Sequence, residues 1–213
     1  MPDPRRHVVV VDDDASVLKA IARHIKLMGH MPLPFDNAAD ALAELSRGAG
    51  DCLLVDLQMP GMSGLELQDA LLDLGRRLPV VFLSGRGSIP ATVSAMRAGA
   101  VDFLEKPVEF DVLAASLSAA LDAGEARARE ESELQDLRQR IQALTTRQRD
   151  VFDQMLSGSP NKVIAFKLGI SERTVKTHRH AIMEKLDVRS IAELCFLAAR
   201  LGLPHPDGAG PAA

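Results

Sequence analysis

The stretch Leu53–Gly64, LLVDLQMPGMSG, decides the fold. An apolar run ends on a carboxylate, Asp56, and a loop with Pro60, Gly61 and Gly64 follows at once. A charge at the end of a buried strand is costly unless other groups compensate it. Compensating groups therefore have to come from other strand ends, and the rest of the first 120 residues supplies them. The segments 7–11, 31–35, 51–55, 79–84 and 101–104 read as strands, and about 14–29, 37–47, 64–75, 89–98 and 110 onward as helices. Strict alternation of strand and helix with short connections specifies a parallel sheet covered on both faces. Five such strands fit a flavodoxin-like doubly wound α/β sheet of order 2-1-3-4-5, with ligands beyond the carboxyl ends of the strands.

That edge collects the polar groups that look out of place. The first strand runs into Asp12-Asp13-Asp14, the third ends at Asp56, the fourth at Ser84-Gly85, and the fifth leads into Glu105-Lys106-Pro107. Convergent carboxylates repel one another, and a hard divalent cation with oxygen ligands relieves them, so the cluster predicts Mg²⁺ or Mn²⁺. Lys106 adds a mobile positive point charge and Ser84 a hydroxyl donor. Together these groups can accept a phosphoryl group, with Asp56 as the nucleophile. Asp14 is expected to cap the following helix and not to ligate metal.

The composition, 46% hydrophobic and 25% charged, permits a substantial core. No apolar run approaches the roughly 20 residues of a membrane span, and the N-terminus has no secretory signal, so a cytoplasmic protein is expected. Cys52 and Cys195 are read as buried small hydrophobes and not as a disulfide. The formal net charge of −4 conceals an asymmetry. Residues 1–122 carry 11 basic and 17 acidic side chains, whereas residues 145–204 carry 10 and 6. An acidic front half and a basic back half suggest two modules, the second with an anionic partner.

Residues 123–144 read as a helical linker. Leu134, Leu137, Ile141 and Leu144 form an apolar stripe two heptads long, expected either as a dimer contact or as one sticky face of a solvated helix. Residues 145–203 are all-helical in pattern: a helix from Thr145 or Thr146 to Ser157, a short one from Asn161 to Gly169, a third capped by Ser171, and a fourth over Ile191–Leu201. The tail, 204–213, is expected to be disordered. Helix, turn and longer basic helix form a helix-turn-helix pattern, whose second helix enters the major groove. On that helix Val175, Ile182 and Leu186 share one face, leaving Arg173, Lys176, Thr177, Arg179 and His180 for phosphates and base edges.

VVVVDDD, LLVDLQMPGMSG, VVFLSGRG and DFLEKP resemble, in order and spacing, the motifs of response-regulator receiver domains across residues 6–122. The resemblance implies that Asp56 is the phosphoacceptor. It implies that Asp12 and Asp13, with the backbone carbonyl of Gln58, hold Mg²⁺. Lys106 would bind phosphoryl oxygens next to a cis bond to Pro107. Ser84 and Phe103 stand at the family's switch positions, although Phe103 also fits as plain core. Gln58 and Arg86 would tune the lifetime of the phosphoryl group.

Residues 140–203 resemble the LuxR-type DNA-binding domain through NK-x-IA, LGIS, RTVKTHR and I-x-x-KL. That likeness suggests DNA contacts from Arg173, Thr174, Lys176, Thr177, His178 and Lys185, with Asn161 and Lys162 near the backbone. His178 could equally pack against the helix pair. Gln148 departs from the family's usual Glu. The combination resembles the FixJ/NarL group of two-component response regulators. It implies a sensor histidine kinase as donor, DNA and RNA polymerase as partners, a phosphorylation-induced homodimer, and no catalysis beyond Mg²⁺-dependent self-phosphorylation and autodephosphorylation. Two other readings remain: a regulator dimerised without phosphorylation, and an aspartate phosphohydrolase. The latter usually needs a second Asp where Gln58 stands.

Overall fold

The computed structural model describes residues 5–85 and 99–203. The helix expected over 89–98, Arg86 and the tail 204–213 lie outside the described residues. The chain divides into two compact units, 1–128 and 129–213.

In the first unit, β1 (His7–Val11), β2 (Met31–Phe35), β3 (Cys52–Asp56), β4 (Val80–Ser84) and β5 (Asp102–Glu105) form one parallel sheet of order β2-β1-β3-β4-β5. The expected order is therefore observed. Strand β2 contains Pro32 and Pro34 and sits at the sheet edge, where missing amide donors leave no gap in the ladder. The central strands β1, β3 and β4 are buried almost throughout, because helices cover both faces.

Side chains alternate between those faces. Val9, Val11, Leu53, Val55, Val80 and Phe82 pack with helices α2 (Ala38–Ser46) and α3 (Gly64–Asp73). Val8, Val10, Cys52, Leu54, Val81 and Leu83 pack with α1 (Ala15–Leu27) and the first turns of α4 (Phe110–Gln142). Burial pushes the Cys52 thiol up to about 12, so it behaves as an inert apolar group.

In the second unit, α5 (Thr146–Leu156), α6 (Asn161–Leu168), α7 (Glu172–Leu186) and α8 (Ile191–Arg200) enclose a core around Val151, Phe152, Met155, Ile164, Val175 and Ile182. Leu137, Ile141 and Leu144 belong to the same core at 7%, 4% and 9% exposure, and Leu134 is half-buried. The apolar stripe of the linker is thus neither a solvated face nor a seam awaiting a second chain. Two heptads of Leu and Ile bury enough area to be drawn into the nearest apolar cluster, and that cluster is this unit's own.

Candidate functional site

Three strand ends build the acidic site. Asp12 follows β1, fully buried, with its amide donating to the Phe35 carbonyl at 3.1 Å. Asp56 closes β3, 7% exposed, in register with Leu83. Lys106 follows β5, and its amide donates to the Ser84 carbonyl at 2.8 Å. By strand alternation Asp12 continues the face of Val8 and Val10, Asp56 that of Cys52 and Leu54, and Lys106 that of Leu104. All three therefore project to the α1/α4 side. Ser84 has the parity of Val80 and Phe82, and Phe103 packs against their cluster, so both belong to the α2/α3 side. Ser84 is 3% exposed and Phe103 half-buried. The two expected switch residues thus share one face of the sheet while the charges occupy the other.

The Lys106 ammonium lies 2.5 Å from Asp12 Oδ2 and 3.2 Å from Asp56 Oδ1. Asp12 Oδ2 thus has the Lys106 ammonium as its close polar contact. Burial acts first on Asp56 and pushes its carboxyl above the usual carboxylate range; Lys106 opposes this, while Asp12 and Asp13 add to it. Burial works against the charge of Lys106, but Asp12 and Asp56 outweigh it and hold the ammonium above its ordinary pKa. One amine among three acids leaves negative charge uncompensated. The ligand oxygens of Asp12, Asp13 and Asp56 lie within 4.8 Å of one another, and Asp13 is exposed. An oxygen-only donor set at this spacing, carrying more negative charge than one ammonium neutralises, fits a hard divalent cation.

The neighbouring caps are local. Asp14 accepts from the Ser16 hydroxyl and, as N-cap of α1, from the Ser16 and Val17 amides, which holds its carboxyl below the usual range and leaves it out of the acidic cluster. Ser63 and Glu66 form a capping box that starts α3 directly after the loop. Gly61 takes φ +80, which only glycine adopts without strain. Gly64 is required for a different reason: a Cβ there would lie 2.4 Å from the Asp56 carbonyl oxygen. The loop returns onto the strand end it came from, a contact invisible in the local pattern. Gln58 is exposed two residues beyond Asp56, and the Lys106–Pro107 peptide is cis.

In the second unit, α6 ends at Gly169 in the left-handed region, and Ser171 caps α7 by accepting the Thr174 amide at 3.0 Å. Val175, Ile182 and Leu186 are the buried residues of α7, as their spacing implied. Arg173, Lys176, Thr177, His180 and Lys185 are exposed; Thr174, His178 and Arg179 are half-buried. Of the residues expected near the DNA backbone, Lys162 is exposed and Asn161 half-buried. Thr177 donates to the Arg173 carbonyl, and the Thr174 and Ser171 hydroxyls bond each other. Lys185 Nζ donates to the Ala143 carbonyl at 2.5 Å, so this residue also caps the end of α4. Gln148 closes a capping box with Thr145, a role that Gln and Glu fill equally. Arg147 caps the end of α6 through the Leu168 carbonyl, a contact 21 residues away in sequence that spacing could not reveal.

Residues 8–118 match the family described as response regulator receiver domain, and residues 142–198 match the luxR family of bacterial regulatory proteins. The response regulator protein TodT of Pseudomonas putida is 38% identical over 201 residues, covering 94% of this chain and 88% of TodT. The transcriptional regulatory protein FixJ of Bradyrhizobium diazoefficiens is 37% identical over 200 residues, covering 92% of this chain and 96% of FixJ. The solved structure of the response regulator StyR superposes with a TM-score of 0.76 at 39% identity, covering 92% of this chain and 99% of that one. Among the described residues no helix is long and apolar enough to cross a membrane. An acidic edge on a 2-1-3-4-5 sheet, joined in one chain to a helix-turn-helix unit, and the two family matches make this protein a member of the two-component response regulators, in the group that pairs a receiver domain with a LuxR-type DNA-binding domain.

Proposed function

We propose that Asp56 accepts a phosphoryl group from a sensor histidine kinase and that its modification controls dimerisation and sequence-specific DNA binding. The observation that carries this reading is the convergence of Asp12, Asp13 and Asp56 within 4.8 Å, with Lys106 3.2 Å from Asp56 Oδ1. An Asp56 carboxylate oxygen attacks phosphorus, the phosphorus–nitrogen bond of the donor histidine breaks, and its electron pair stays on the imidazole. Lys106 is placed to pair with the oxygens of the transferred group. Mg²⁺ or Mn²⁺, held by the side chains of Asp12, Asp13 and Asp56 and the backbone carbonyl of Gln58, would neutralise the charge that gathers in transfer.

The modification adds a charge of about −1.5 to −2 at the end of β3. Lys106 then exchanges carboxylate partners for phosphoryl oxygens, and Ser84 with Phe103 reports the change on the α2/α3 side of the sheet. Residues 1–122 form the phosphoacceptor unit, 123–144 the linker and 145–203 the DNA-binding unit. Arg173, Thr174, Lys176, Thr177, His178 and Lys185 contact the operator from α7, with Asn161 and Lys162 against its backbone; Lys185 must leave the Ala143 carbonyl to do so. The protein acts as a dimer in the bacterial cytoplasm and engages RNA polymerase.

The chemistry is tested by incubating the full chain with acetyl phosphate and Mg²⁺ and following the mass of the intact protein. Wild type gains one phosphoryl group. Asp56→Asn gains none, and labelling of that variant would overturn the assignment.

A further inference from the structure

A second polar site lies at the other end of the sheet. Strand β4 ends at Ser84 beside the acidic site and begins at Val80, which lines a cavity of about 230 Å³ between the end of α3, the start of β4 and α4. Arg76, Arg77 and Arg127 all line it. Arg76 Nη2 donates to the Ala49 carbonyl at 3.2 Å, while its Nε is buried without a hydrogen-bond partner. Arg127 Nη1 reaches the Arg77 carbonyl at 3.5 Å.

None of the three guanidiniums faces a carboxylate among the described residues, whereas Arg6, Arg47, Arg147 and Arg200 each do. Among the described residues no acidic side chain lines the cavity. A guanidinium without a carboxylate partner is a strong charge-assisted donor to an anion that enters beside it. The walls are otherwise apolar: Leu71 and Val80 are each 2% exposed, and Leu72 stands at the mouth at 41%. Gln68, 4% exposed, also lines the cavity.

We infer that this cavity binds a small organic carboxylate, its charge held by Arg76 and Arg127 and its hydrocarbon body against Leu71, Leu72 and Val80. Three convergent cations select a negative head, and the planar guanidinium fork matches a carboxylate. The apolar lining selects a hydrocarbon tail over a bare inorganic ion. The volume lies below that of pockets for drug-sized molecules, so the body has to be short. Because the site sits at the strand starts, its ligand can be present whether or not Asp56 is modified.

Calorimetric titration of the full-length protein with hexanoate, hexanamide and acetate tests the inference. Hexanoate is expected to bind at least tenfold more tightly than hexanamide, which lacks the charge, and than acetate, which lacks the body. Arg127→Gln, an exposed position whose loss leaves the fold intact, is expected to weaken hexanoate at least tenfold, as is Arg76→Gln. Arg138→Gln, further along α4, should leave the affinity unchanged. Should Arg76→Gln fail to fold, Arg127→Gln decides. Equal binding of acetate or hexanamide, unaltered affinity in Arg127→Gln, or no heat with hexanoate at tens of millimolar would each overturn it.

Discussion

The acidic edge of the first unit and the recognition helix of the second both depend on charge, but they hold it differently. At the edge, Asp12 is fully buried, Asp56 nearly so, and Lys106 pairs with both. On α7, Arg173 and Lys176 stand in solvent. Buried charges are tied to the stability of the fold, because removing one partner strands the other in a low dielectric. Exposed charges are nearly free of that link and can be used for binding alone. The first unit can therefore convert a chemical change at one residue into a change of packing, and the second can be tuned without unfolding.

The largest effect should come from Lys106→Ala. It strands the buried Asp12 and Asp56 carboxylates beside each other, and a loss of ~3 kcal/mol is expected in the absence of divalent cation, the low end for a broken buried pair because the Lys106 side chain keeps 17% exposure. Denaturant unfolding of the variant, with and without Mg²⁺, measures this, and Mg²⁺ should restore part of the loss. Next comes Gly64→Ala. Its Cβ would meet the Asp56 carbonyl oxygen at 2.4 Å and Phe82 Cε1 at 3.1 Å, so the strand end has to move. A loss of about 1–3 kcal/mol is expected, with phosphorylation by acetyl phosphate slowed in proportion to the displacement of Asp56.

A smaller effect, of opposite sign, is expected for Asp56→Asn. Burial raises the Asp56 pKa on folding, so the folded chain binds that proton more tightly than the unfolded chain. Ionised Asp56 therefore costs stability in full above the folded pKa, and the cost fades as pH falls from the folded pKa to the unfolded one. Without divalent cation, Asp56→Asn should melt a few degrees higher than wild type at neutral pH, with the gap closing on acidification. A lower melting temperature at neutral pH would contradict this assignment of cause. The smallest stability effect belongs to Lys176→Ala on the recognition helix: within about 0.5 kcal/mol of wild type in unfolding. The slope of log affinity against log salt should nonetheless drop by about one, as for a single phosphate contact. A destabilisation comparable to that of Lys106→Ala would break the contrast between the two regions.

Much of this was legible in the order of residues. Short hydrophobic runs, separated by amphipathic helices, specify a parallel α/β unit whatever surrounds them, and three carboxylates and one amine at three strand ends must share its edge. Caps are equally local: Asp14, Ser63, Thr145, Ser171 and Ser190 each sit within three residues of the amides they bond. The recognition helix separated into buried and exposed faces by spacing alone.

Sequence by itself thus determined the element order, the caps and which side chains gather at the acidic edge, since these depend on neighbours a few residues apart. Tertiary structure decided what depends on distant partners. Leu137, Ile141 and Leu144 could have served a second chain, but they are drawn into the core around Phe152 because that is the nearest apolar surface. Gly64 had a second constraint, the Asp56 carbonyl, that only the returning loop imposes. Lys185 had a second partner, the Ala143 carbonyl 42 residues away. Arg127 lies 50 residues from Arg77 in sequence, yet both line one cavity with Arg76. In each case one side chain had several chemically acceptable partners, and only the three-dimensional packing selects among them.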